Sequence, residues 1–152
     1  MRGVYTAHIE IASLAAAKTV LLMELPATNC VEILSAQVTN ANVNTAEQHT
    51  CGLFRVTTKG APAGAAVNIQ KKESGSAATI VTWLGDLTTE PTTYDAAPLE
   101  KGGVNNIGGY YYDPIPEERD IVPPSKLVGL RLLNTPVTPF KAICIIKYRE
   151  IG

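Results

Sequence analysis

The side chains best suited to chemistry are those of His49 and Cys51, which are two residues apart. A cysteine beside a histidine can supply a nucleophile and its base. If the segment is a strand, alternation places both side chains on one face. Catalysis also needs a group that orients the base, and none is evident nearby. The other histidine, His8, lies in the first strand-like run. We therefore predict no catalytic residues and expect that the protein is not an enzyme.

The sequence also lacks the residue spacings that are typical of metal-binding and phosphate-binding sites. His49 and Cys51 lack a second ligand pair at the spacing of a zinc site. The acidic stretch at 113–120 offers carboxylate oxygens for calcium, but it lacks the Asp-rich, glycine-turned loop of a dedicated calcium site. The glycine pairs at 102–103 and 108–109 are typical of turns or bulges rather than of phosphate-binding loops. We predict no metal and no cofactor, with calcium at 113–120 as the weaker alternative.

Four aromatic residues form the remaining candidate site: Trp83, Tyr110, Tyr111 and Tyr112. Such rings can stack on sugars, but more often they serve as core residues or as anchors of a subunit interface. In a strand, Tyr110 and Tyr112 share one face and Tyr111 points the other way. We therefore expect core or interface positions, with glycan contacts as the alternative. No basic stripe accompanies the rings, which disfavours nucleic acid as a partner.

Length, composition and charge indicate one soluble domain at 1–152. The chain has 152 residues, is 18% charged and has a formal net charge of −1, so neither nucleic acid nor an anionic membrane is an expected partner. No uninterrupted apolar stretch reaches the roughly 18 residues of a membrane-spanning helix. The three cysteines, Cys30, Cys51 and Cys144, show no CxxC spacing. We expect unpaired thiols and synthesis in a reducing compartment.

Short runs with β-strand character recur along the whole chain, each bracketed by Gly, Pro, Asn or Ser. This pattern predicts an all-β fold, an antiparallel two-sheet sandwich of jelly-roll type with about eight strands and under about 10% helix. One long irregular segment is expected at 85–124, where prolines are frequent, with one candidate strand inside it at 107–112. The clearest runs are Val31-Glu-Ile-Leu-Ser-Ala-Gln-Val38, Leu53-Phe-Arg-Val-Thr-Thr58, Ala78-Thr-Ile-Val-Thr-Trp-Leu84, Lys126-Leu-Val-Gly-Leu-Arg-Leu-Leu133 and Ala142-Ile-Cys-Ile-Ile-Lys-Tyr148.

Two features of the pattern bear on assembly. The runs at 19–25 and 126–133 carry apolar residues on both faces, so they need a second cover, either a loop of the same chain or a neighbouring subunit. The segment at 86–120 has eight acids against two bases, a net charge of −6, and the remainder is +5. The acidic segment is either a solvated loop or a surface that packs on the basic body of another copy.

The run of strands and turns resembles small virion proteins of tailed bacteriophages, especially jelly-roll capsid decoration (cement) proteins. The phrases that carry the resemblance are Tyr5-Thr-Ala-His-Ile-Glu-Ile-Ala12, Lys18-Thr-Val-Leu-Leu-Met-Glu-Leu-Pro-Ala27, Val31-Glu-Ile-Leu-Ser-Ala-Gln-Val38, Gly52-Leu-Phe-Arg-Val56, Lys126-Leu-Val-Gly-Leu-Arg-Leu132 and Ala142-Ile-Cys-Ile-Ile-Lys-Tyr-Arg-Glu150. The segment at 85–124 has no counterpart in the resemblance.

The resemblance implies a structural protein that is made in the host cytoplasm and works on the capsid exterior of the virion. Its implied partners are two further copies of itself, in a homotrimer, and the major capsid protein of the shell, which it would stabilise. Two alternatives remain open. One is a receptor- or glycan-binding β-module of a phage tail or fibre, and the other is an enzyme of unrecognised type.

Overall fold

The computed structural model describes residues 3–152, which form thirteen strands and one short 3-10 helix, Pro116–Glu118. The strands in chain order are β1 (Gly3–Leu14), β2 (Lys18–Glu24), β3 (Cys30–Asn40), β4 (Gln48–Thr58), β5 (Ala63–Ala65), β6 (Asn68–Lys71), β7 (Thr82–Thr89), β8 (Thr93–Tyr94), β9 (Glu100–Asn105), β10 (Tyr110–Tyr112), β11 (Ile121–Val122), β12 (Leu127–Leu132) and β13 (Phe140–Ile151). The chain is therefore all-β, as its alternating runs predict.

The strands form two antiparallel sheets that pack as a sandwich. The first sheet has the order β10-β3-β13-β1-β6, with β11 also paired to β3, and the second has β5-β7-β2-β12-β4-β8, with β9 also paired to β4. Within them, β10-β3-β13-β1 and β2-β12-β4-β9 are the two halves of an eight-stranded jelly roll. The predicted class is confirmed. The predicted count of about eight strands was wrong, because five further strands, β5, β6, β7, β8 and β11, extend the sheets.

The segment at 85–124, predicted to be irregular, instead contributes strands to both sheets. The end of β7 and all of β8, β9, β10 and β11 lie within it. Adjacent glycines give β9 a low intrinsic preference for strand structure. Six consecutive pairs with β4, from Leu53↔Glu100 to Gln48↔Asn105, hold it in the sheet nevertheless. Tertiary pairing therefore overrides the local sequence here.

The core lies between the sheets because the long strands bury alternate side chains. In β13, every second side chain from Phe140 to Tyr148 is buried, and those between are half-buried or exposed. The Tyr148 ring is packed between two other aromatic rings, with centroids 5.4 Å from Tyr5 and 5.3 Å from Trp83. The indole Nε1 of Trp83 donates a hydrogen bond to the Tyr148 hydroxyl at 3.3 Å. Trp83 and Tyr148 thereby pair polar atoms with each other inside the core.

The second sheet also buries apolar side chains on its outer face. Leu22 of β2, Leu87 of β7 and Leu127 of β12 form a small cluster separate from the main core, and Leu84 packs against it. Asp86 adopts a left-handed φ of +44°, and the pairing of β7 with β5 is irregular next to it. This irregularity turns Leu84 and Leu87 onto the same face although they are three residues apart. The cluster is buried within a single chain.

A strap at 88–99 crosses this outer face. Glu90 accepts hydrogen bonds from the backbone nitrogen and the hydroxyl of Thr19, the former at 2.7 Å. The Tyr94 ring lies so close to β12 that a Cβ on Gly129 would stand 3.1 Å from it. The second cover of β2 and β12 is thus a loop of the same chain, the first of the two alternatives that the sequence leaves open.

Replacing Tyr94 with alanine is expected to detach this strap. The ring packs edge-on against Phe54, and the Arg131 guanidinium lies 4.0 Å from its centre. Because Tyr94 is partly buried, we expect a loss of about 2–4 kcal/mol in the free energy of unfolding, somewhat less than a fully buried aromatic gives. Urea denaturation measures this loss. Tyr111→Ala, at an exposed aromatic, is the control and should change stability by under about 0.5 kcal/mol. Equal losses of unfolding free energy in Tyr94→Ala and Tyr111→Ala would contradict the role of Tyr94 in holding the strap.

Candidate functional site: a polar cleft at Tyr111

The structure separates the four aromatic residues that the sequence groups as one candidate site. Trp83 and Tyr110 face the inside of the sandwich and are 8% and 3% exposed. Tyr112 is half-buried, and its hydroxyl donates to the Asp120 carboxylate at 2.9 Å. Tyr111 alone presents its ring to solvent, with 62% exposure. A surface platform made of Trp83 and Tyr110 is therefore excluded by their burial, and Tyr111 is the aromatic residue left to contact a ligand or a neighbouring subunit.

The Tyr111 ring forms one side of a cleft at the edge of the first sheet. Strand β10 leaves β3 after Tyr112, and β11 rejoins it at Ile121, so the chain at 113–120 bows away from the sheet between them. A bulge at Leu34, where the pairing of β3 with β13 shifts by one residue, lies at the same level. Bulges at sheet edges re-aim side chains and interrupt pairing. The resulting cleft of about 200 Å³ is lined by Leu34, Ser35, Ala36, Gln37, Tyr111, Tyr112, Asp113, Arg119 and Lys147.

Polar side chains of neighbouring strands meet at this cleft because strand pairing places them side by side on the outer face of the first sheet. Gln37 of β3 pairs with Tyr111 of β10. Ser35 of β3 pairs with Lys147 of β13. Gln37 and Ser35 are half-buried, whereas Lys147 is exposed. The cleft therefore combines an amide, a hydroxyl and an ammonium group with one aromatic ring.

An ion-pair network fixes the bowed segment against the sheet. Glu32 accepts from Arg119 at 3.4 Å through one carboxylate oxygen and from Arg149 at 3.0 Å through the other. The Asp120 carbonyl also accepts from the backbone nitrogen of Ile33 at 2.9 Å. Burial, and after it the hydrogen bond to Asp120, raises the pKa of the Tyr112 phenol, which keeps this hydroxyl a donor. The cleft is thus preformed by contacts within the chain.

His49 and Cys51, the pair with the strongest suggestion of chemistry, are both buried on the inner face of β4, as alternation predicts. The His49 ring packs on Phe140 with centroids 5.4 Å apart, and its Nδ1 lies 3.0 Å from the Asn134 side-chain nitrogen. Burial raises the pKa of the Cys51 thiol to about 12, so the reactive thiolate is disfavoured. Among residues 3–152, no three His, Cys, Asp or Glu side chains are grouped to hold a metal ion.

The three cysteines should differ sharply in reactivity. All three are free in the structure, which confirms the prediction of unpaired thiols. Cys30 is half-buried, while Cys51 and Cys144 are buried, and burial raises the pKa of both of these thiols. A thiol reagent such as DTNB should therefore label one group quickly in the native protein and three after denaturation without reductant. Only one group after denaturation would reveal a disulfide and contradict the structure.

Exposed apolar side chains mark one end of the sandwich, which we call the Glu47 end. Ile107 and Val137 are 56% and 88% exposed there. Glu47 ties both loops together: its backbone bonds Asn106 in both directions, and its carboxylate accepts from the backbone nitrogen of Val137 at 2.6 Å. The backbone hydrogen bonds that the carboxylate accepts, first from Val137 and then from Thr138, lower the pKa of Glu47. Hydrogen bonds to Glu47 therefore hold the backbone of both loops, and we call the exposed Ile107 and Val137 the apolar tips.

A second exposed apolar group lies toward the opposite end of the first sheet. Ile121 of β11 pairs with Glu32, and Ile151 of β13 pairs with Cys30, so both stand on the outer face near the start of β3. They are 56% and 39% exposed. Exposed apolar groups of this kind are typical of protein contacts when several occur together.

No protein-family model, curated protein or solved structure matches this chain. Within the described range, 3–152, no helix has the length and apolar character needed to cross a membrane. The functional interpretation therefore rests on the residues and surfaces described above.

Proposed function

We propose that the chain is a non-enzymatic virion structural protein, a capsid decoration (cement) protein that binds the major capsid protein on the outside of the shell and stabilises it. It is made in the host cytoplasm and acts on the capsid exterior as a homotrimer. The resemblance to phage decoration proteins and the jelly-roll order of the strands support this proposal. The observation that carries it is the pair of apolar tips at the Glu47 end.

The Glu47 end suits contact with a shell because its tips are both apolar and held in place. Ile107 and Val137 sit in separate loops, each tied to Glu47 by hydrogen bonds. A contact that buries preordered side chains loses less conformational entropy than one that must first order its loops. We therefore assign the Glu47 end to the major capsid protein.

Two features of the chain could supply the contacts of the trimer, the acidic 86–120 segment and a pair of exposed isoleucines. Acids of the 86–120 segment have partners in their own chain: Asp86 pairs with Lys18, Glu90 accepts from Thr19, Asp95 accepts from Thr57 and Asp120 accepts from Tyr112. Of these four acids only Asp86 forms an ion pair, and the hydroxyl donors leave the other three carboxylates charged. Ile121 and Ile151 remain exposed on the outer face of the first sheet. We assign them to the contact between copies.

Light scattering at micromolar concentration tests the assembly. The wild-type protein is expected at three times the 16.2 kDa mass of the chain. Ile121→Glu should shift it to monomer, because the substitution buries a charge in the contact. The matched control, Ile107→Glu, changes an equally exposed isoleucine at the Glu47 end and should leave the trimer intact. A wild-type monomer would contradict the trimer. If that monomer also failed to bind empty shells, the glycan-binding module of a tail or fibre would be the better proposal.

A further inference from the structure

The Tyr111 cleft has the composition of a saccharide site. The Tyr111 ring is exposed and stands over a small concave surface. Ligand sites typically combine aromatic or apolar walls with a few convergent polar groups that fix orientation. At about 200 Å³, the cleft is smaller than the roughly 300–1,000 Å³ of sites for drug-sized molecules. It therefore suits a single ring of a larger molecule.

The hydrogen-bonding groups match the hydroxyls of a sugar, which both donate and accept. The Gln37 amide supplies a carbonyl and an NH₂ group, and Ser35 supplies a hydroxyl. The edge of β3 between Ile33 and Ala36 faces the bowed segment rather than a paired strand. A pyranose ring can satisfy several of these groups at once.

One lysine, Lys147, distinguishes an acidic sugar from a neutral one at this cleft. Lys147, Arg119 and Arg149 stand against Glu32, Asp113 and Asp120, so these six charges balance. Arg119 and Arg149 are already engaged by Glu32. Among residues 3–152, Lys147 forms no ion pair, so its ammonium group is available. A carboxylate on the sugar would give Lys147 the partner that the chain does not supply.

We propose that the cleft binds a hexuronic acid unit of a surface polysaccharide, with the ring on Tyr111, hydroxyls on Gln37 and Ser35, and the carboxylate on Lys147. This inference does not depend on the decoration role. A decoration protein with such a site would add binding of acidic polysaccharide to stabilisation of the shell. The residues assigned to the shell at the Glu47 end are not among those that line the cleft.

NMR titration of the full-length, ¹⁵N-labelled protein tests the site with two disaccharides of the same linkage, one containing glucuronic acid and the other only glucose. The acidic disaccharide is expected to shift the amide signals of Tyr111, Gln37 and Lys147. Its affinity should be at least about tenfold that of the neutral one, which corresponds to about 1.4 kcal/mol. Failure to bind either disaccharide, or equal affinity for both, would overturn the proposal.

Variants separate the roles of the ring and the charge. Tyr111→Ala should abolish binding of both disaccharides, and Tyr111→Phe, which keeps the ring, should retain binding of both. Lys147→Gln should remove the preference for the acidic disaccharide and leave the weak affinity for the neutral one. Lys101→Gln, at an exposed lysine of β9 in the second sheet, is the matched control and should behave like wild type. Unchanged binding by Tyr111→Ala would place the sugar elsewhere.

Discussion

Replacing Trp83 with alanine should lower the free energy of unfolding by about 3–5 kcal/mol, the usual loss for a buried aromatic cut back to a methyl group. Trp83 packs against Tyr148 at 5.3 Å and donates to its hydroxyl. The substitution removes the largest side chain of this group and leaves the Tyr148 hydroxyl without that donor. Urea denaturation followed by circular dichroism measures the loss, since the variant lacks the tryptophan that fluorescence would report.

The control for this prediction is Trp83→Phe, which keeps an aromatic ring and should be less destabilising than Trp83→Ala. Because Trp83 is remote from the outer face of the first sheet, binding at the Tyr111 cleft should persist in Trp83→Phe. A stability change under about 0.5 kcal/mol in Trp83→Ala, the size expected for a surface substitution, would contradict the core assignment. It would restore Trp83 as a candidate contact residue.

Placing aspartate at both Ile107 and Val137 is expected to weaken binding to the shell at least about a hundredfold. Burying one such apolar side chain contributes about 1.5–3 kcal/mol, and a factor of ten in affinity corresponds to about 1.4 kcal/mol. Losing two such contacts therefore lowers the affinity for the shell by two or more factors of ten. The side chains are 56% and 88% exposed in the free chain, so the substitutions should leave its stability nearly unchanged. Binding is measured by cosedimentation with empty shells over a concentration series.

The matched control for the shell contact is Ala66→Asp, a charge placed at an exposed position outside the Glu47 end. It should bind shells as tightly as wild type. If the double variant at the Glu47 end also binds like wild type, the apolar tips are not the contact, and another surface must be assigned. If both charged variants lose binding equally, the effect is general electrostatic repulsion rather than a lost contact.

The strands that could be predicted from the sequence are those whose own residues alternate or are strongly apolar. β3 and β13 are examples, because each buries one face along nearly its whole length. Of the short strands between β7 and β12, β10 lies within the candidate strand at 107–112, whereas β8, β9 and β11 were missed since their stability comes from partners distant in sequence. β9 is held by β4, and β10 and β11 are held by β3. Glycine- and proline-rich sequence carries no local signal of such pairing.

The candidate site was only partly predictable for the same reason. Alternation separates Tyr111 from Tyr110 and Tyr112, and the structure shows this separation. The partners of Tyr111 depend on strand register: Gln37 lies 74 positions before it in the sequence and Lys147 lies 36 positions after it. The cleft itself requires the bulge at Leu34 and the bowed chain at 113–120. Neither feature follows from residue type or spacing alone.

The most direct test of the proposed decoration role is cosedimentation of the wild-type protein with empty icosahedral shells of the phage that the proposal assumes to encode it. The proposal predicts that the protein sediments with the shells, saturates at a copy number that is a multiple of three, and raises the temperature at which the shells disassemble. Protein that stays in the supernatant at micromolar concentration, with no change in shell stability, would contradict the decoration role.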